Sequence, residues 1–187
     1  MTRFWGCLIL AVLVAVTVGC SRGQTTHAPP GPREFSADSV GHFCGMLLVE
    51  HPGPKGQVLL GGQAEPIWFA SVIETFAFTM LDEEPKDIAA IYVTDMGRAK
   101  SWDEPGPGIW IDARKAVYVI EGRSHGGMGG NEAVPFSDPE QASRFAAENG
   151  GRIVSFKAMP RSYILQRGGT LAATPDAEEN PRKAIEP

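Results

Sequence analysis

The sequence predicts an α+β fold of two similar ββαβ modules packed together, with mostly antiparallel strands. Three observations carry that prediction. Two series of short apolar runs occur, each leading into a helix-like segment and ending on one more run. Each helix-like segment opens on a residue that can cap it. The runs are too short to form stable separate sheets, so the two series must share a core.

In the first series "CGMLLVE", residues 44–50, reads as a strand. "PGPKG" is turn chemistry, because proline presets φ and glycine relieves strain. "QVLL" and "PIWFA" read as a second strand, broken by "GGQAE". Ser71 then caps a helix in "SVIETFAFTMLDEE", and Glu74 three residues on completes a capping box. Val72, Phe76, Thr79 and Met80 fall at helical spacing. "IAAIYVTDM", residues 88–96, is a strongly apolar strand. "GRAKSWDEPGPGIWIDA" is a linker ending in a strand. In the second series "KAVYVIEG" alternates as a strand does, and "EAVPF" is another. Ser137 or Asp138 caps "SDPEQASRFAAENGG", where Pro139 suits the first turn and Gly150 the stop. "RIVSFKAM", residues 152–159, closes the series. The modules are then residues 38–98 and, with the linker, residues 99–166.

The flanks predict export. Arg3 precedes an apolar run from Cys7 to Val18, the length of a secretory h-region and too short to span a membrane. "TVGC" resembles a bacterial lipobox, with Thr17 where Leu is usual; residues 1–19 would be removed and Cys20 lipidated. Ser21 after that cysteine favours the outer membrane. Residues 20–37 are polar and rich in Pro and Gly, a flexible tether. Residues 167–187 lack apolar periodicity and read as a disordered tail. The 17 Lys and Arg against 22 Asp and Glu, with no basic run, argue against a nucleic-acid partner.

Of three cysteines, Cys7 leaves with the signal and Cys20 carries lipid, so Cys44 has no intramolecular partner. A leftover thiol in an oxidising compartment points to an intermolecular bond, a reactive group or a metal ligand, unless it is simply buried. On a strand, Cys44 and Met46 would share a face, with Gly45 allowing close approach. Thiolate plus thioether is a soft donor set, which selects Cu(I). His125 and Met128, in the glycine-rich "HGGMGG", are candidates to complete it, and such a loop can open to release an ion. Met96 is a weaker candidate, and His42 and His51 lie nearby in sequence. Taken singly, Met46 reads as core filler and His125 as a surface residue; their conjunction with an odd thiol raises the metal reading.

"CGMLLVEHPGPKGQ", "IAAIYVTDMG" and "SHGGMG…AVPFSDPEQASRFAAENGGRIVSF" resemble the NosL family, the nitrous-oxide reductase accessory lipoproteins. The likeness spans about residues 40 to 160. It implies a periplasmic copper chaperone that binds Cu(I) and is held to a membrane by its lipid. It implies partners as well: nitrous oxide reductase, whose copper centres it helps assemble, and a membrane ABC-type maturation complex. It implies a pair of ββαβ modules related to a domain of organomercurial lyase. The family's Cys-Gly-Met maps onto Cys44, Gly45 and Met46, and its later His and Met onto His125 and Met128. Two other readings stay open at this point. One is a cysteine-dependent enzyme, organomercurial-lyase-like, with Cys44 as nucleophile and His125 as base. The other is a lipid-anchored interaction protein without metal.

Overall fold

In a computed structural model of the chain, residues 28–127 and 129–165 are described. The fold is α+β, with antiparallel strands throughout two sheets. β1 (Gly56–Leu60), β2 (Ile67–Phe69), α1 (Val72–Met80) and β3 (Ile88–Thr94) come first, followed by β4 (Trp110–Asp112). β5 (Val117–Ile120), β6 (Val134–Phe136), α2 (Pro139–Asn149) and β7 (Arg152–Ser155) repeat the ββαβ order, and a short α3 (Arg161–Leu165) follows. The first sheet is ordered β2-β1-β3-β4 and the second β6-β5-β7. In both, the first strand of the repeat is central and its two partners flank it.

The sequence reading misplaces one strand. Residues 44–50 form no strand; Leu48–Glu50 is a 3-10 turn, and Cys44 sits in a tight turn before it. Gly41 and Gly45 favour reversal over extension. "QVLL" and "PIWFA", read as one interrupted strand, are instead the two paired strands β1 and β2, with Gly56, Gln57 and Val58 opposite Phe69, Trp68 and Ile67. β7 also stops at Ser155, and Phe156–Ala158 turns into a 3-10 segment.

One core joins the halves. Val58, Phe69, Phe76 and Ile91 from the first sheet and helix pack with Tyr118 and Val154 from the second sheet and Tyr163 from α3. The Phe76 and Tyr118 rings meet edge to face at 5.0 Å. Polar ties reinforce the seam. Asp95, fully buried just after β3, accepts hydrogen bonds from the backbone N–H and hydroxyl of Ser137. Asp138, not Ser137, caps α2, its carboxylate accepting from the Glu140 N–H.

Residues 30–34, read from composition as tether, lie across the outside of the first sheet. The Gln57 side chain exchanges hydrogen bonds with the N–H and C=O of Arg33, and Tyr92 donates to Pro30 O. Gln57 is fully buried, so this reciprocal pairing satisfies an amide that burial would otherwise penalise.

Candidate metal centre

Residues 39–48 form a closed loop. Val40 and Leu47 pair as an antiparallel bridge, and the Leu48 N–H donates to Ser39 O. Inside it, Gly41 closes the chain twice. Its N–H donates to Met46 O at 2.9 Å, and its carbonyl accepts from the Gly45 N–H at 2.8 Å. The second bond spans four residues, so 41–45 is one helical turn that goes no further. Gly45 stops it in the left-handed region, at φ 65°, where a side chain would be strained. The expected strand alternation therefore does not bring Cys44 and Met46 together. Chain reversal instead returns the Met46 carbonyl to the Gly41 N–H, while Cys44 Sγ lies against Gly41. A Cβ built on Gly41 would meet that sulfur at 2.6 Å. Cys44 is a free, half-buried thiol, and Met46 is 38% exposed.

The turn is anchored through its neighbours. The His42 N–H donates to Trp68 O, and its imidazole packs edge-on to Phe43, Phe69 and Phe78. His42 Nε2 also lies 3.2 Å from the Glu84 carboxylate. That imidazole is therefore engaged in holding the turn to β2 and α1. Met96 likewise packs in a core cluster with Val119 and Phe136.

The second donor-bearing loop is folded rather than open. His125 bridges to Asn131, and the N–H of Gly126 donates to Gly130 O. His125 is exposed, and Met128 lies outside the described residues, as does Cys20. Two of the loop's glycines permit close approach. A Cβ on Gly126 would lie 2.8 Å from Glu132 Oε2, and one on Gly127 2.6 Å from His51 Cβ. Gly129 and Gly130, on the far side of Met128, face open space. The two donor loops meet the same place. Gly41 packs on Ala70 and Gly126 on Ser71, the residues that lead into α1.

The start of α1 is held from both halves. Ser71 Oγ accepts from the Glu74 N–H, and Glu74 reaches back to the Ala70 N–H. Glu132, at the foot of β6, supplies what Ser71 cannot. Its Oε1 accepts from the N–H groups of Val72, Ile73 and Ala133. A carboxyl at a helix N-terminus meets the positive end of the dipole. Burial still dominates and pushes its pKa up to about 8, and Oε2 has no hydrogen-bond partner among the described residues. Glu74 is raised for the same reason, burial first.

His51 is the imidazole that the structure brings to the second loop. Its Nδ1 lies 3.3 Å from Gly127 O, which makes Nδ1 the protonated nitrogen, since a carbonyl can only accept. In the neutral imidazole Nε2 then carries the lone pair, buried and without a partner among the described residues. Lys55 shapes this corner by donating to the carbonyls of His51, Pro52 and Gly53. Its burial pulls its pKa down to about 8. Gly41, Lys55 and Glu132 escaped the sequence reading as site residues, and His51 was noted there only as lying near the donors in sequence. A lone acid opening the apolar "EAVPF" was the one legible signal for Glu132.

The NosL family model matches residues 32–164. The chain belongs to the NosL family. Two curated relatives are each named a copper-binding lipoprotein NosL. One, from Achromobacter cycloclastes, is 41% identical over 135 residues, 72% of this chain and 70% of that protein. The other, from Stutzerimonas stutzeri, is 31% identical and covers 92% of both chains. The crystal structure of the copper chaperone NosL from Shewanella denitrificans is 29% identical, with a TM-score of 0.67 over 72% of this chain and 99% of that one. These NosL relatives are named for copper binding and chaperoning, not for a catalysed reaction.

Proposed function

We propose that this chain binds Cu(I) through Cys44 and Met46 and hands it on as a lipid-anchored copper chaperone. The observation that carries this reading is the turn closed by Gly41, which sets a half-buried thiol and an exposed thioether on one reversal of the chain. Softness favours Cu(I): a thiolate and a thioether suit that ion far better than a hard cation. Two sulfurs leave a site that further donors complete. Met128 and His125 are the loop candidates, and the lone pair of His51 Nε2 supports an imidazole ligand from beneath the same loop. A half-buried thiol beside an exposed thioether in the sequence suits transfer by ligand exchange, in which an incoming donor attaches before an old one leaves.

The reading extends to the acceptor and to the place. Lipid on Cys20 would hold the chaperone at a membrane facing the periplasm, with the outer membrane favoured by Ser21. The cargo would serve the copper centres of nitrous oxide reductase, through the ABC-type maturation complex. The copper content of reductase isolated from cells lacking this gene tests this. Complementation with the wild-type chain should restore it and Cys44→Ser should not. Equal copper with Cys44→Ser would remove delivery from the account.

A further inference from the structure

We propose that the face around Cys44, with the cavity beside it, is the docking surface for the copper acceptor, and that the acceptor seats there a segment pairing an apolar side chain with Lys or Arg. This rests on the delivery reading and adds the surface and the chemistry of the partner. Among the described residues five large apolar side chains are exposed, and four of them are Val40, Phe43, Met46 and Val49, 38–54% exposed. All four stand within one stretch of ten residues, with Cys44 in its middle. Single exposed apolar residues are ordinary; a cluster around a metal-binding thiol marks a contact surface. His42 and Phe43 pack against Phe69, so the patch is held firm rather than left to collapse inward.

Val49 also forms the edge of a cavity of about 420 Å³. Phe35, Ile109 and Trp110 wall it, and Glu34, Asp103 and Glu104 stand at its lining. The volume suits a side chain with a long hydrocarbon stem. Charge decides the occupant. Residues 34–54 hold Glu34, Asp38 and Glu50 and no Lys or Arg. None of these acids, nor Asp103 nor Glu104, is ion-paired among the described residues. Lys55 lines the cavity, but its ammonium is spent on three backbone carbonyls. The Lys100 stem, against Gly106, brings one cation near the rim. The balance is acidic. A second copy would set acid against acid, and an anionic membrane would be repelled. A basic protein segment is attracted, and its apolar neighbour covers the patch.

Photocrosslinking of the full-length lipoprotein in native membranes tests this, with p-benzoylphenylalanine in place of Val49. The expected product joins this position to the reductase or to a subunit of the maturation complex, at a peptide carrying Lys or Arg. Reversing the charge with Asp103→Lys and Glu104→Lys should cut its yield about tenfold, through lost steering and rim repulsion. Ile153→Ser, at the exposed apolar residue outside that stretch, should leave the yield unchanged, because the surface around Cys44 makes the contact. A self-adduct, a lipid adduct, no adduct, or a yield indifferent to charge reversal would each overturn the proposal. So would a yield lost with Ile153→Ser. Failure here leaves the delivery reading to its own test, the copper content of the reductase.

Discussion

Gly41→Ala should separate copper binding from folding. The added Cβ would sit 2.6 Å from Cys44 Sγ, while its other neighbours, Ala70 Cβ and N, would be at 3.6 Å, ordinary contact. Unbonded heavy atoms prefer about 3.5–4.0 Å, so the overlap with sulfur is about 1 Å. Gly41 itself cannot retreat without losing its bonds to Met46 and Gly45. The thiol is the movable part, being the end of a side chain with a single torsion. One rotamer step carries Sγ about 3 Å away. That relieves the clash at a folding cost of roughly 1 kcal/mol. It also removes the anchor from its place against Gly41, which should weaken Cu(I) by at least about tenfold, or roughly 1.4 kcal/mol. Competition with a chromophoric chelator under anaerobic conditions reads the affinity, and thermal unfolding reads the fold. Gly45→Ala is the contrast: its Cβ meets nothing, but φ 65° strains it, so that variant spends its cost on the turn. Wild-type Cu(I) affinity in Gly41→Ala would refute the reasoning.

Two other outcomes concern stability. Gly56→Ala would drive a Cβ to 1.8 Å from Thr75 Oγ1 and 2.9 Å from Thr75 Cβ, where β1 passes under α1. Overpacking of that kind costs about 1–3 kcal/mol, so Tm should fall by several degrees while Cu(I) affinity at low temperature stays unchanged. Glu132→Gln should change the pH dependence of stability. The folded pKa of Glu132, pushed up to about 8, lies above its ordinary 4.5, so the folded protein holds a proton that the unfolded chain gives up. Its contribution is complete below about pH 4.5 and is lost as pH rises to about 8. Lys55, pulled down to about 8, acts in the opposite sense and above that window. The variant should therefore gain on the wild type between pH 5 and pH 8, in urea or thermal unfolding; a constant difference across that range would contradict the assignment.

The elements whose signals are local were legible. Ser71 and Glu74 wrote the start of α1, and Asp138, Pro139 and Gly150 bounded α2, because caps and stops act within a turn of the chain. In the second series the ββαβ order was readable for the same reason. The first strand was not. "CGMLLVE" has strand composition, but two hydrogen bonds of Gly41, outside that stretch, impose a turn. Glu132 capping a helix sixty residues away in sequence, and Gly41 facing a sulfur, arise only from tertiary contact. The donor residues could be named from softness; their support could not. The second loop shows the difference well: glycines that read as freedom include Gly126 and Gly127, which serve close packing against Glu132 and His51.

The most direct test is an anaerobic Cu(I) titration of the purified chain against a competing chelator, run beside Cys44→Ser and Met46→Leu. The wild type should hold one Cu(I) tightly, with binding abolished by Cys44→Ser and weakened at least about tenfold by Met46→Leu. Equal affinity in all three proteins, or no competition by the wild type at all, would contradict that expectation.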